Sequence, residues 1–483
     1  MEQIRENKMG TQPVFKLIVS MSLPAVFSML VQALYNIVDS YFVAQISESA
    51  LTAVSLAFPI QALMIAVAVG TAIGINSLVS RRLGEQRKKE ADSAATHGLI
   101  LAVVSWLLFA VFGIFFTHMF FNAFTDTADV LLMGTQYGSI VTIFSFGIFV
   151  EINIEKTLQA TGNMIYPMFF QLVGAITNII LDPVFIFGFA GIPAMGVAGA
   201  AVATVIGQIV AMLFSIYIIF RKEHEVHITF RKFRINWRTI RDIYAVGLPS
   251  IVMQAIGSLL VVGMNAILIA FNETAVAFFG VYFKLQSFIF MPVFGLTHGV
   301  MPIMGYNFGA GKRERLLSAL RIGCVLALII MAIGTLVFWT CPEWMLGLFK
   351  ASNKMLAIGV PALKTISISF IPAALGIMFS TIFQAVGKGM YSLVISFLRQ
   401  LVVLLPSALF LAQFGLYYVW YSFPISEVVA FCASLGMFYM MYLKKLKNLK
   451  PFTASGVGSL AQPDMAGGEE ERQSQLSGNT KES

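Results

Sequence analysis

Long apolar runs recur along the whole chain, and they constrain its fold more than any other feature of the sequence. Many approach or exceed the roughly 18–20 residues that a helix needs to cross a bilayer. Backbone polar groups inside lipid must be satisfied within the segment itself, so these runs predict membrane-spanning helices. Of the 483 residues, 58% are hydrophobic and 12% are charged, whereas a soluble domain carries roughly 25% charged residues. The sequence therefore predicts an all-α integral membrane protein.

The apolar runs divide into twelve predicted transmembrane helices. They cover residues 14–44, 50–80, 93–117, 128–155, 164–189, 195–220, 240–271, 274–305, 316–340, 355–386, 390–413 and 416–443. Several are longer than about 20 residues, so we expect them to tilt or to extend past the headgroups. Three polar stretches remain: an N-terminal segment (1–13), a linker (221–239) and a Gly/Ser-rich tail (444–483) whose composition is typical of disorder.

Positive charge is concentrated in alternate connections between the predicted helices. The basic residues of the second, sixth and eighth connections and of the stretch after the last helix are Arg81, Arg82, Arg87, Lys88, Lys89, Arg221, Lys222, Arg231, Lys232, Arg234, Arg238, Arg241, Lys312, Arg313, Arg315, Lys444, Lys445, Lys447 and Lys450. Under the positive-inside rule, this alternation predicts cytoplasmic termini and a location in the inner (cytoplasmic) membrane. It also accounts for the net charge of +8 without a nucleic-acid partner.

The second half of the chain repeats the first, and matched residues are separated by a nearly constant number of positions. Gly70 and Gly295 are one such pair, and their separation in sequence defines the offset of the repeat. Ser22–Pro24 (SLP) matches Gly247–Pro249 (GLP), and Gln159–Gly162 (QATG) matches Gln384–Gly387 (QAVG). Further matched pairs are Gly74 with Gly299 and Gly84 with Gly309. Six predicted helices in each half give both halves the same orientation, as in transporters built from parallel repeats. We therefore expect two pseudo-symmetric six-helix bundles, an N-terminal lobe (14–220) and a C-terminal lobe (240–443).

Two carboxylates of the first half lie within predicted helices where the chain should be buried in lipid, Asp39 in the first helix and Asp182 in the fifth. A charged side chain inside the bilayer costs a few kcal/mol or more, so such residues mark a pathway, a coupling site or an ion pair. No Lys or Arg lies within a turn or two of either acid along the sequence. An acid left unpaired in a low dielectric takes up a proton readily. Both residues are therefore candidates for proton or cation coupling.

Counting from the outer loops at about 1.5 Å of helix rise per residue predicts a similar depth for the two acids, in the outer half of the bilayer. Other polar residues at that depth complete a predicted pocket: Tyr35, Asn36, Asp39, Tyr137, Asn178, Asp182 and Thr204. Depth alone does not make these helices neighbours. For Tyr35 and Tyr137, simple packing is an equal alternative. For Asp182, the alternative is hydrogen bonding to backbone groups freed by Pro183.

The repeat does not extend to the acids. Met264 occupies the position equivalent to Asp39, and Ser407 the position equivalent to Asp182. If the acids only served the fold, the second lobe would need them too. Their restriction to one lobe indicates a specialised role.

Charged residues in the second half favour structural roles. Lys284 and Glu427 lie at comparable predicted depth, so we expect an ion pair, and such pairs are weak evidence for function. Both remain candidates for the substrate pocket. Two further expectations for this half are that Arg399 extends toward the headgroups and that His298 is packed or hydrogen-bonded.

In the first half, the charged residues at the inner end of the fourth predicted helix are expected to form a hydrated face. They are Glu151, Glu155 and Lys156.

Five segments resemble signatures of the multidrug and toxic compound extrusion (MATE) transporters, over about residues 14–445. They are LPAVFSMLVQALYNIVDSYFVA, QATGN, NIILDPVFIFGFAGIPAMGVAGAAVATVIGQ, VFGLTHGVMPIMGYNFGAGK and FPISEV. The resemblance implies two bundles facing each other in a V, and export of organic cations in exchange for protons or sodium. It also implies that Asp39, Asn178, Asp182 and Thr204 form the family's N-lobe cation site. We therefore expect a small-molecule organic cation as the substrate, the lipid bilayer as the surroundings and a monomeric state. No cofactor is expected, and the coupling ion is H+ or Na+.

One departure from the resemblance concerns the second lobe. Some relatives carry a glutamate in the seventh helix and an aspartate in the tenth, which form a cation site there. This chain has Gly257 and Ser258 near the first position, and residues 366–384 (ISISFIPAALGIMFSTIFQ) contain no acid. We therefore do not expect a sodium site in the C-terminal lobe. Coupling to sodium at Asp39, Asp182 and Asn178 stays open, although we favour protons.

Three other functions fit the sequence less well. A flippase for lipid-linked or polar metabolites of the same superfamily would hold phosphate with several cavity Arg or Lys residues, and only Lys284 and Arg399 are available. An intramembrane enzyme would need Asp-rich or HExxH motifs, which the sequence lacks, so no catalytic residues are assigned. A passive channel is the third alternative, and uphill transport of a substrate would exclude it.

Overall fold

The computed structural model describes residues 7–189, 191–231 and 233–449. Most of the predicted tail, from residue 450 onward, lies outside these residues. Within the described ranges all regular structure is helical. Ten helices are long and apolar enough to cross a membrane, and two bent pairs of shorter helices bring this count for the described ranges to twelve. The all-α prediction is confirmed.

The membrane-spanning helices are numbered in chain order. They are α1 (Val14–Ala44), α2 (Glu48–Gly84), α3 (Lys88–Phe115), α4a (Ala128–Ile143) and α4b (Phe146–Ala160), α5 (Ile165–Phe187), α6 (Gly196–Arg221), α7 (Trp237–Ile269), α8 (Glu273–Gly309), α9 (Arg313–Thr340), α10a (Asn353–Ser367) and α10b (Phe370–Ala385), α11 (Gly389–Ala412) and α12 (Leu416–Leu446).

The fourth and tenth spans are broken, whereas the sequence predicted continuous helices over 128–155 and 355–386. The halves of α4 meet at 43° and those of α10 at 48°. A serine stands at each break, and its hydroxyl donates to its own helix. Ser145 bonds the Thr142 carbonyl at 2.8 Å, and Ser369 bonds the Ile366 carbonyl at 2.6 Å. Such bonds compete with the backbone ladder and promote bending.

The internal repeat governs the helix boundaries themselves. The ends of α2 and the ends of α8 are separated by the same offset that relates Gly70 to Gly295, and so are the ends of α3 and α9. The short helices that follow α3 and α9 are separated by the same offset, since Thr117–Asn122 matches Pro342–Gly347. The predicted parallel repeat of two six-helix lobes is therefore confirmed at the level of single residues.

The two lobes meet where glycines let backbones approach closely, and we call this contact the glycine seam. A Cβ on Gly295 of α8 would lie 2.6 Å from the Val26 Cα of α1. A Cβ on the equivalent Gly70 of α2 would lie 2.8 Å from the Ile251 backbone nitrogen of α7. The symmetric pairs are Gly295–Val26 with Gly70–Ile251, Gly299–Ser22 with Gly74–Gly247, and Gly309–Arg81 with Gly84–Tyr306. In each case the offset of the repeat converts one pair into the other, so the seam is two-fold symmetric.

The seam lies in the half of the molecule where the basic connections gather, which we call the basic end. There Asn307 donates to the Met9 carbonyl and Lys312 to the Gly10 carbonyl, both at 3.0 Å. Arg313 bonds the Tyr442 hydroxyl near the end of α12, so the N-terminal segment, the eighth connection and the end of α12 share one face. Toward the opposite end of α8, a Cβ on Gly280 would meet open space. The glycine contacts between the lobes are thus made at the basic end.

Gly299→Ala tests the seam against Gly280→Ala in the same helix. The Gly299 Cβ would overlap the Ser22 side chain and lie 2.8 Å from its backbone nitrogen, and overpacking of this kind costs about 1–3 kcal/mol. We expect a lower Tm for purified Gly299→Ala in detergent. The control should be neutral or slightly stabilised, because alanine favours helix by up to about 1 kcal/mol over glycine. Equal Tm values for the two variants would contradict the seam.

Candidate cation site and polar cavity

Asp182 is held in the interior of the first lobe by its neighbours on α5 and α6. Its side chain is fully buried, with an exposed fraction of 0%. One turn earlier on the same face, the Asn178 amide donates to Asp182 Oδ1 and to the Thr204 hydroxyl, each at 3.3 Å. Helices α5 and α6 come this close because Gly174 and Gly207 face each other. The sequence thus places an acid, an amide and a hydroxyl in one small volume.

Helix α1 brings Asp39 to this group. It packs against α5 and also contacts α6. Tyr35, one turn from Asp39, lines a cavity together with Asn178 and Thr204. Helix packing therefore places the helix that carries Asp39 against the helices that carry Asp182 and Thr204, within one lobe.

The remaining predicted pocket members differ in placement. Tyr137 of α4a is buried, with 3% exposure. Its hydroxyl accepts a hydrogen bond from Gln61 at 3.0 Å. Asn36 has an exposed side chain, so the structure does not bring it into the group.

Both acids present an oxygen that has no partner among the described protein atoms. Asp39 Oδ1 and Asp182 Oδ2 are buried and accept no hydrogen bond. A buried acceptor without a partner costs about 1–3 kcal/mol. A proton on one carboxyl would supply a donor, and an alkali cation would supply a positive charge to oxygens of the kind that hard cations prefer. The residues fit either ion.

The equivalent positions in the second lobe are ordinary. Met264 is fully buried in the apolar core of that lobe. Ser407 donates to the Leu404 carbonyl of its own helix at 3.0 Å. At these equivalent positions, the first lobe therefore has acids in its interior, whereas the second lobe has an apolar side chain and a serine that bonds its own helix.

The predicted ion pair between Lys284 and Glu427 is wrong. Glu427 pairs with Arg399, whose Nη1 lies 3.0 Å from Oε1, while Lys284 Nζ stands 6.0 Å from the centre of the Phe349 ring. Arg399 belongs to a π-helical stretch of α11, Leu398–Leu404. The wider winding of such a stretch changes which way its side chains face, and residue counting does not register it. The expectation that Arg399 extends to the headgroups is wrong for the same reason.

The predicted hydrated face on the fourth span is also wrong. Glu151, Glu155 and Lys156 are exposed by 8%, 2% and 5%, because α4b packs against α2, α3 and α6. Lys156 Nζ lies 3.0 Å from Glu155 Oε1 and 3.4 Å from Nδ1 of His298 on α8. These charges are therefore buried at the contact between the lobes, and His298 is hydrogen-bonded as expected.

Sequence reasoning missed a polar cavity of about 150 Å³ between α1, α4b, α5 and α6. Its lining includes Gln32, Gln171 and Gln208, none of which was singled out. For Gln171 a signal was present, since it lies on the face of α5 that carries Asn178 and Asp182, seven and eleven residues later. The two acids themselves are absent from the described lining of this cavity.

Comparison with known proteins gives the class. The MatE family model matches residues 24–184 and 249–409, two blocks related by the same offset as the two sides of the seam. Together they cover more than half of the chain. The chain belongs to the MatE family: it is a multi-pass membrane transporter and not an enzyme.

Particular relatives are similar over most of their length. The multidrug export protein MepA of Staphylococcus aureus is 24% identical over 436 residues, 89% of this chain and 94% of the relative. MepA of Staphylococcus saprophyticus is 26% identical over 433 residues, with the same coverages. A solved structure of a multidrug resistance MATE family transporter in an outward-facing conformation has a TM-score of 0.87 and 27% identity, covering 92% of this chain and 100% of that one.

The Arg399–Glu427 pair makes a stability prediction. Glu427→Gln leaves a partly buried guanidinium without its carboxylate, so we expect a loss of about 1–3 kcal/mol in stability, measured as a lower Tm in detergent. Arg399→Met combined with Glu427→Met should recover much of it, because an apolar pair replaces both charges. Lys284→Met is the matched control and should change the Tm little. If Lys284→Met were as damaging as Glu427→Gln, the observed pairing would be refuted.

Proposed function

We propose that this transporter exports organic cations or amphipathic drugs in exchange for protons, with Asp39 and Asp182 as the coupling site. One observation carries the proposal: Asp39 and Asp182 of one lobe each have a buried oxygen without a partner among the described residues, and the other lobe has Met264 and Ser407 at the equivalent positions. An intramembrane acid without a counter-ion is a loading point for a proton or a metal cation. Asn178 and Thr204 would position it.

The substrate class is supported by the relatives. Both MepA proteins are named for multidrug export, and their similarity spans both lobes of this chain. Phosphate-type substrates are disfavoured, because Arg399 is engaged with Glu427 and leaves few cations for an anionic headgroup. Adaptable methionine-rich surfaces, of which this chain with 25 methionines has the material, suit recognition of varied organic cations.

The positive-inside rule supports cytoplasmic termini in the cell membrane. The basic end is then cytoplasmic, and the glycine seam closes the cytoplasmic half of the transporter. Similarity to an outward-facing transporter supports the same state for this structure. Two lobes in one chain suffice for alternation, so the working unit is a monomer.

Helix α1 links the coupling site to the seam. It carries Asp39 toward one end and Ser22 and Val26, which meet α8, toward the other. Pro24 between the seam residues removes one backbone hydrogen bond and provides a point of bending. Loading a proton removes the repulsion between Asp39 and Asp182, which lets α1 move against α5. Displacement of α1 then weakens substrate binding outside and loosens the seam inside.

Asp39→Asn should abolish coupled efflux while leaving the protein folded. Ethidium transport is measured with purified protein in liposomes, driven separately by a pH gradient and by a sodium gradient. We expect uphill transport with the pH gradient, lost in Asp39→Asn because the amide no longer cycles between charged and neutral forms. Asp129→Asn, which changes an exposed aspartate at the start of α4a, is the control and should transport like the wild type.

The two gradients separate the alternatives. Transport driven by sodium alone would replace the proton by a sodium ion held at Asp39, Asp182 and Asn178. Efflux by Asp39→Asn at the wild-type rate would remove Asp39 from the mechanism. If neither gradient moves ethidium, the multidrug assignment fails for this dye class.

A further inference from the structure

The polar cavity lies closer to the basic end than the Asp39–Asp182 pair does, and several hydrogen-bond acceptors stand in its largely apolar wall. Four lining side chains present a buried oxygen with no partner among the described residues: Glu151 Oε1, Gln171 Oε1, Asn178 Oδ1 and Gln208 Oε1. Glu151 and Asn178 are more than nine-tenths buried, with 8% and 2% exposure. Buried polar groups in folded proteins are nearly always satisfied, so four such oxygens on the lining of one cavity call for a partner that supplies positive charge or donors.

The orientation of two of these amides is fixed by the bonds that their nitrogens make. Gln171 Nε2 donates to Glu155 Oε2 at 2.9 Å, and Asn178 Nδ2 donates to Asp182 and Thr204. Turning either amide around would place its oxygen against an acceptor that now receives a proton. The hydrogen bonds of the two nitrogens therefore fix both amide oxygens on the side away from those acceptors. Both side chains line the cavity.

The charge of the cluster is unbalanced by one unit. Glu155 is paired with Lys156 at 3.0 Å, and Lys156 also donates to Gln159 and lies against His298. Glu155 and Lys156 are the charged groups acting on Glu151, which has no ion-pair partner within the described ranges. With Glu151 ionised, the two carboxylates and one ammonium carry a net charge of −1. A single positive charge would neutralise it.

We propose that this cavity binds one alkali cation of the size of sodium, with the Glu151 carboxylate and the oxygens of Gln171, Asn178 and Gln208 as its candidate ligands. A proton on Glu151 would balance the charge but would satisfy only one further acceptor. A divalent ion would leave an excess of positive charge. A monovalent cation balances the charge and engages several oxygens at once, and oxygen donors of this kind suit hard cations.

The cation would sit beside two functional features. Through Asn178 it shares a residue with the Asp39–Asp182 site, since a cation at Oδ1 holds the amide nitrogen toward Asp182. Through Gln171, Glu155 and Lys156 it reaches His298 in the other lobe. Participation of this cation in transport rests on the proposed function, whereas its binding does not.

Equilibrium binding of ²²Na⁺ to the purified full-length protein in detergent tests the site, at alkaline pH to limit competition by protons. We expect Glu151→Gln to bind one sodium ion fewer than the wild type, and Asp39→Asn to retain that ion. Gln208→Met changes no charge and should weaken this binding roughly tenfold, which keeps the test valid if Glu151→Gln fails to fold. Glu343→Gln, which alters an exposed acid in a short connecting helix, is the matched control.

Each outcome decides the proposal. Unchanged sodium binding by a folded Glu151→Gln or by Gln208→Met overturns it, as does complete loss of binding in Asp39→Asn, which would assign the ion to the other site. Absence of sodium binding by the wild type also overturns it and leaves Glu151 as a protonated acid. Because ethidium transport is measured separately, a failed cavity site and a failed export function give different results.

Discussion

Close contact between backbones at the glycine seam is the constraint on which the rest of this structure depends. Two large apolar lobes have no hydrophobic reason to associate inside lipid, so they need tight packing to hold a defined geometry. Glycines at Gly70, Gly74, Gly295 and Gly299 provide it, because a Cβ at each would press on the partner helix. The seam sets where the lobes touch, and therefore where a cleft between them can open. It also anchors α1, the helix that carries Asp39.

Much of the architecture could be predicted from the sequence because local sequence patterns determine it. Apolar runs, alternating basic connections and a constant offset between matched motifs predicted the helices, the common basic face and the two lobes. Helix continuity was predicted less well, since each break in α4 and α10 is marked only by a single serine, Ser145 or Ser369, that bonds its own backbone. Nothing in a hydropathy pattern distinguishes these from the serines that leave other helices unbroken.

The candidate site shows the same division. Depth counting put Asp39, Asp182, Asn178 and Thr204 at one level, and helix packing brings them together. It failed for Glu427, because a π-helical stretch redirects Arg399 toward it. It also failed for the charges of α4b, since packing of α4b against α2, α3 and α6 buries them. The first failure comes from a deviation in helix geometry and the second from tertiary packing, and residue identity reveals both only weakly.

The symmetry of the seam has a consequence for how such a chain can change over time. Pairs that interchange under a two-fold operation are the contacts found between identical subunits, so each half carries a surface that would fit a copy of itself. In a true dimer every substitution appears twice, and an acid on one side is an acid on both. Covalent fusion removes that restriction. One half could then acquire or keep the charged interior of Asp39 and Asp182 while the other settled on Met264 and Ser407, and the common surface preserved the fit between two halves that no longer do the same work.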